Sequence, residues 1–289
     1  MVPPQRFFVL LVCHVCDGRI PTVKTPTIYH IPICPFCQRL EILIELKGMS
    51  DAVAFEVVDI TRPRSEHIIQ LTDGSTALPV LELEDGRSLK ESLVLMGYLE
   101  DRFSEPRVRR EDPYERAVES LLVAMEGSFV ASGYGLLLNQ DESKRQGLVS
   151  AYLAQLAAID EFLRTHSTGS GPWLFERFGW AEAVFAPFFQ RFVFNHYYEG
   201  ITLPDEPAYG RVREWRDACV AHPAAQQTSD EEIIKLYYDY SRGAGNGALV
   251  EGRSVSSFAF EPAWTDRPMP PRTKYQPGAT DAELGLLPG

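Results

Sequence analysis

Two thiols stand three positions apart in Ile33-Cys34-Pro35-Phe36-Cys37, after a short apolar strand over residues 27–30 and ahead of a helical stretch over 35–47 closed by Gly48. A thiol attacks as the thiolate, so a reactive cysteine needs its pKa lowered. The N-terminus of a helix does this through partial positive charge and N–H groups that lack an intrahelical acceptor. Pro35 suits the first helical position, which leaves Cys34 at the helix start as the candidate nucleophile. Cys37 falls in the first turn of the same helix. It is open whether it is a small core residue or a second thiol able to resolve a mixed disulfide. Cys13-x-x-Cys16 and Cys34-x-x-Cys37 together offer four thiolates at zinc-pair spacing. The first pair lies in an N-terminal extension and the second is built into a periodic helix, so no metal site is expected.

The elements around this segment must hold it. Residues 54–60 read as a second strand, which makes a βαβ unit with what precedes it. A short helix over 65–71 comes next, then the turn Thr76-Ala77-Leu78-Pro79 and the alternating strand Val80-Leu81-Glu82-Leu83-Glu84. Asp85-Gly86 is a hairpin signal leading to a returning strand at Ser88-Leu89, and 91–103 is helical. The order βαβ, helix, ββα predicts a thioredoxin-like α/β domain over residues 27–104. Residues 104–113 are charged, contain two prolines and carry no periodicity, as a linker does. Beyond them, 114–138, 142–166, 180–198, 209–221 and 230–240 read as helices, an all-α substrate domain over 113–241. Residues 242–289 are rich in Gly, Pro and Ser, an irregular tail that is either ordered on the domains or not ordered. Residues 1–26 form an extension expected to be disordered.

Composition narrows the function classes. Of 289 residues, 28 are Lys or Arg and 40 Asp or Glu, a net charge of -12, which repels a phosphate backbone. Nucleic-acid binding is not expected. Nor is a membrane span, since no uninterrupted apolar run approaches the required roughly 18 residues. Residues 6–13 are a poor signal peptide, with a short apolar core and no small-residue cleavage site, and an odd count of five cysteines is unlike a secreted disulfide scaffold. A soluble cytoplasmic protein is expected.

The chain resembles the cytosolic glutathione transferases, in particular the omega-like cysteine type. The resemblance runs from about residue 27 to 240 and is carried by Tyr29-His30-Ile31-Pro32 before Cys34-Pro35-Phe36, by Thr76-Ala77-Leu78-Pro79, by Leu89-Lys90-Glu91-Ser92 and by Phe178-Gly179-Trp180-Ala181-Glu182. These segments, with Leu236-Tyr237-Tyr238-Asp239-Tyr240, Gly245-Asn246-Gly247 and Pro268-Met269-Pro270-Pro271-Arg272, are similar to the bacterial glutathione lyases of lignin β-aryl-ether catabolism. The resemblance implies glutathione as cosubstrate and Cys34 as catalytic thiol, with Pro35 and Phe36 beside it. It implies that Pro79 is a cis-proline presenting the Leu78 backbone to the cysteinyl part of glutathione, a form of strand addition. Glu91 and Ser92 would hold the γ-glutamyl end, Glu91 facing the ammonium and Ser92 the carboxylate. A homodimer is implied as well.

Two departures stand out. Omega-type members carry a basic residue shortly before the cis-proline turn, where this chain has Gln70-Leu71-Thr72-Asp73, so the group that holds the glycyl carboxylate is open. The lyases need only the first cysteine, which keeps a dithiol role for Cys37 open. In the second domain Glu182 is read as a helix cap, and Phe185, Phe188, Phe189, Phe192 and Phe194 as core packing. Tyr237, Tyr238 and Tyr240 cannot share one helix face. Tyr237 or Tyr238 is the candidate donor to a leaving enolate.

The leading expectation is removal of glutathione from a glutathionyl aromatic ketone through a Cys34-glutathione mixed disulfide. Thiol transfer or dehydroascorbate reduction at the same cysteine is the alternative. A non-catalytic interaction module with an unreactive Cys34 is a third.

Overall fold

The computed structural model describes residues 25–287; the extension that carries Cys13 and Cys16 lies outside them, apart from its last two residues. Four strands, β1 Thr27–His30, β2 Ala54–Val57, β3 Val80–Glu82 and β4 Ser88–Lys90, form one sheet in the order β2-β1-β3-β4. β1 pairs with β2 in parallel, and β3 is antiparallel to both its neighbours. The parallel pair needs a crossover. α1, Pro35–Lys47, supplies it. Leu40 and Leu43 of α1, Leu95 and Leu99 of α3 (Ser92–Arg102), and Ile28 and Leu81 of the sheet are all fully buried, so α1 and α3 cover one face of the sheet. α2, Glu66–Leu71, is capped by the Ser65 hydroxyl, which accepts from Ile68 N–H. The second strand stops at Val57, short of the predicted Ile60, because the Asp59 carboxylate accepts from the Thr61 N–H and hydroxyl and turns the chain.

The helical part comprises α4 Pro113–Ala124, α5 Glu126–Leu138, α6 Arg145–His166, α7 Trp180–Glu199, α8 Gly210–Ala221, α9 Asp230–Leu236 and α10 Tyr238–Ser241. α7 is the spine, packed against α1, α4, α5, α8 and α9. Phe185, Phe188, Phe189 and Phe194 are buried as predicted, with Phe192 edge-on to Phe129 and Tyr152. The Glu182 carboxylate accepts from Gly179 N–H at 3.0 Å, from Leu174 N–H and from the Trp215 indole, both at 2.9 Å, so it caps and ties the helix.

Two predicted helices are each divided. The stretch Pro113–Leu138 is long and apolar enough for a membrane span by length and composition, but it breaks at Met125, just before a Gly127-Ser128 pair, a common cause of a helix break. The helix predicted over 230–240 breaks at Tyr237, and the Asp239 carboxylate in the short piece beyond binds the tail through Ser257 N–H at 2.7 Å and Arg253 at 3.1 Å. The tail is ordered through residue 287. Arg253 joins Asp239 to Asp281, Arg267 donates to the Ser257 carbonyl at 2.6 Å, and Phe258, Leu284 and Leu286 are buried with Tyr197, Tyr198 and Ile233. Local periodicity carried no sign of this order, because it comes from long-range arginine contacts.

Candidate active site

Cys34 closes the β1–α1 turn. Its N–H donates to Ile31 O at 2.9 Å, and its carbonyl accepts from Cys37 and Gln38 at 3.1 and 3.0 Å. The side chain is half-buried and faces a cavity of about 680 Å³. The hydrogen bond from the Cys37 thiol, with the N–H groups of Cys37 and Phe36 and the Arg191 charge, outweighs burial and brings the Cys34 thiol down to about 7. Burial and that same donated bond push Cys37 well up. Near neutral pH Cys34 is therefore about half thiolate, while Cys37 stays a thiol.

Arg191, unmarked by any motif, reaches this turn from α7. It is fully buried, donates to Ile33 O at 2.6 Å and Pro187 O at 3.1 Å, and binds the Gln38 side chain. A guanidinium in that place fixes the Ile33-Cys34 peptide and favours the thiolate.

The same cavity gathers most of the residues singled out from sequence: Cys34, Pro35, Phe36, Leu78, Pro79, Glu91, Ser92 and Tyr237 all line it. The Leu78-Pro79 bond is cis, as implied. Glu91 precedes α3 at φ 71°, a left-handed backbone that a non-glycine residue holds at a cost of about 1–3 kcal/mol, typical of ligand-binding positions. Ser92 is the first residue of α3, where helix N–H groups favour an anion. Its hydroxyl accepts from Arg39 at 3.0 Å. Arg39 is fixed in turn by the Val184 carbonyl at 3.1 Å and by Glu126, a buried ion pair across the two halves of the molecule.

Tyr238 is a correction. It does not line the cavity; its hydroxyl accepts from Ala279 N–H at 2.6 Å and its ring lies under Arg253. Neighbouring helical residues point about 100° apart, so Tyr237 and Tyr238 could not both face the thiol. Tyr237 does: its hydroxyl donates to Ile33 O at 3.3 Å and lies 3.3 Å from that of Tyr134. Burial raises both phenols above their ordinary range, which keeps them protonated donors. Tyr134 and Tyr240 line the cavity too, as do Asn246 and Phe258 from the tail. The tail passes close to the thioredoxin-like domain: at Gly247, φ +76°, a Cβ would stand 2.7 Å from Ile60 O.

Three cations border the cavity, Arg62, Arg64 and Lys90. Lys90 is paired with Asp73 at 2.8 Å and Arg62 with Asp59 at 3.2 Å. Arg64 donates through Nη1 to the carbonyls of Asp59 and Arg62, and its buried Nε has no protein hydrogen-bond partner. Gln70-Leu71-Thr72-Asp73 before the cis-proline turn carries no base, and the fold supplies these cations from the loop after β2 and from β4.

A cysteine at a helix start, a cis-proline edge and a Glu-Ser pair meet at one cavity on a thioredoxin-like sheet, the set that the resemblance implies for glutathione. In agreement, residues 28–107 match the glutathione S-transferase N-terminal domain and residues 144–218 the C-terminal domain of that family. The chain belongs to the glutathione S-transferase superfamily, whose cosubstrate is glutathione. Within it, the chain is similar to omega-class proteins. It is 26% identical over 235 residues to a probable glutathione transferase omega-2 of Caenorhabditis elegans, covering 78% of this chain and 90% of that one. In fold it resembles glutathione transferase Omega 3C from Trametes versicolor, at TM-score 0.61 and 23% identity over 71% of this chain and 90% of the other. It also resembles dehydroascorbate reductase from Chlamydomonas reinhardtii, at TM-score 0.58 and 22% identity over 76% of this chain and all of the other.

Proposed function

We propose that the protein is a glutathione-dependent lyase that removes glutathione from a glutathionyl aromatic ketone of the lignin β-ether type. The observation that carries this reading is a thiolate-prone Cys34 and a protonated Tyr237 on one cavity, with apolar and aromatic walls from Ile31, Ile33, Phe36 and Phe258. The Cys34 thiolate attacks the glutathione sulfur of the adduct, and the sulfur–carbon bond breaks with its electron pair passing to the carbon α to the ketone. The charge spreads onto the ketone oxygen as an enolate, which Tyr237 stabilises by turning its hydroxyl from the Ile33 carbonyl to that oxygen. Protonation at carbon through solvent, by the proton that the second glutathione loses on ionising, gives the free ketone. A second glutathione thiolate then attacks the mixed disulfide, freeing Cys34 and giving oxidised glutathione.

The test is turnover of a glutathionyl phenylpropanone, with release of ketone and oxidised glutathione in equal amounts. Reduction of dehydroascorbate or small disulfides with no turnover of the thioether would favour instead an omega-type thiol transferase or dehydroascorbate reductase, a reading that the second thiol at Cys37 supports. Loss of all three activities would leave the interaction module.

Arg64 is the residue we assign to the glycyl carboxylate, because it lines the cavity and, unlike Arg62 and Lys90, its hydrogen bonds go to backbone carbonyls and not to a carboxylate. A hydrogen bond to a charged group is worth about 1.5–3 kcal/mol, so Arg64→Gln is expected to raise KM for glutathione by about tenfold or more with little change in kcat. An unchanged KM would remove Arg64 from the site. Val94 of α3 and Tyr114 and Leu121 of α4 are apolar and largely exposed, which supports a homodimer through these helices, to be decided by light scattering. The free thiols Cys34, Cys37 and Cys219 suit the reducing cytoplasm.

A further inference from the structure

We propose that Cys37 is a resolving thiol: it displaces glutathione from the Cys34 mixed disulfide and closes a Cys34–Cys37 disulfide, giving the protein a dithiol reductase activity on small disulfides. The proposal rests on the reading of Cys34 as nucleophile and adds a second reacting sulfur.

The geometry of the turn carries it. Cys34 lines the cavity while Cys37 does not; Cys37 is fully buried in the first turn of α1, where its sulfur accepts from the Ile31 N–H at 3.5 Å. Its thiol is hydrogen-bonded to the Cys34 sulfur, so the two sulfurs are neighbours. A glutathionyl or alkylthio group on Cys34 must lie on the cavity side. Cys37, adjacent to the Cys34 sulfur and outside the cavity lining, is the neighbouring thiol available to attack that mixed disulfide. Negative charge on Cys34 is one reason Cys37 stays protonated. That charge vanishes once Cys34 is in a disulfide, which removes one of the causes that hold Cys37 protonated, while the Ile31 N–H still favours its thiolate.

The bonds balance as follows. Cys34 thiolate attacks a disulfide RSSR and releases one RS⁻. Cys37 gives its proton to the second departing RS⁻ as its sulfur bonds to Cys34. Two glutathiones then reduce the internal disulfide, leaving the dithiol and oxidised glutathione.

The experiment is a single turnover of reduced, desalted protein with one equivalent of bis(2-hydroxyethyl) disulfide and no glutathione. Trypsin releases both cysteines in residues 25–39, whereas Cys13 and Cys16 fall in residues 7–19, so the two pairs are read separately by mass. The wild type is expected to release two mercaptoethanols and to leave residues 25–39 as an internal disulfide. Cys37→Ser is expected to release one and to keep a mercaptoethanol adduct on that peptide, and Cys37→Ala to do the same. A wild-type peptide that keeps the adduct as stably as Cys37→Ser would overturn the resolving role while leaving Cys34 as nucleophile. A peptide that takes up no adduct in any of the three proteins would overturn the nucleophile reading, and this proposal with it.

Discussion

Cys34→Ser is expected to abolish turnover on every substrate, by on the order of 10⁴-fold or more, as removal of a catalytic nucleophile does. The reason lies in the difference between the two groups. An alcohol at this helix start stays protonated at neutral pH, while the Cys34 thiol, lowered to about 7 by the Cys37 hydrogen bond, the local N–H groups and Arg191, is about half ionised. Glutathione binding should survive, because the cis-proline edge and the Glu91-Ser92 pair do not depend on that sulfur. Alkylation of the wild type by iodoacetamide, followed on the peptide over residues 25–39, provides the matching pH measurement. The depressed pKa means that the thiolate is present above about pH 7 and lost below it, so the rate should rise about tenfold from pH 6 to pH 8 and level off. A rate that keeps climbing to pH 9 would mean an unactivated thiol. Substantial turnover by Cys34→Ser would move the chemistry to another atom.

Tyr237→Phe should have the next largest effect, and a selective one. Hydrogen-bond stabilisation of a developing oxyanion is worth about 2.7–4 kcal/mol at a well-formed site, so kcat on the thioether is expected to fall about a hundredfold. Reduction of a small disulfide should be spared, since a departing thiolate needs no phenol. Tyr237 also packs against Phe194 and Phe258, but Phe preserves that packing, so a loss shared equally by both activities, together with a lowered Tm, would mean damage to the core. Tyr238→Phe is the natural comparison. Its hydroxyl serves Ala279 of the tail, and that change is expected to affect stability without separating the two substrates.

Local rules sufficed where one short segment contains its own cause. Pro35 and Gly48 mark the two ends of α1, and Asp85-Gly86 marks the hairpin between β3 and β4. Alternation and helical periodicity made the order of elements readable, and Cys34, Leu78, Pro79, Glu91 and Ser92 were recognisable because each sits in a short motif at an element boundary. The tertiary structure decided what depends on residues far apart in the chain. Arg191 meets Ile33 across 158 positions and Arg39 meets Glu126 across 87, and no periodicity encodes such meetings. Which tyrosine faces the thiol was fixed by the rotation of α9 and α10 against the tail, through Asp239, Arg253 and Asp281. Side-chain types set what chemistry the chain could perform; the packing of α7 and the tail onto the β1–α1 turn chose which groups perform it, because reaction requires contact and contact is made by the fold.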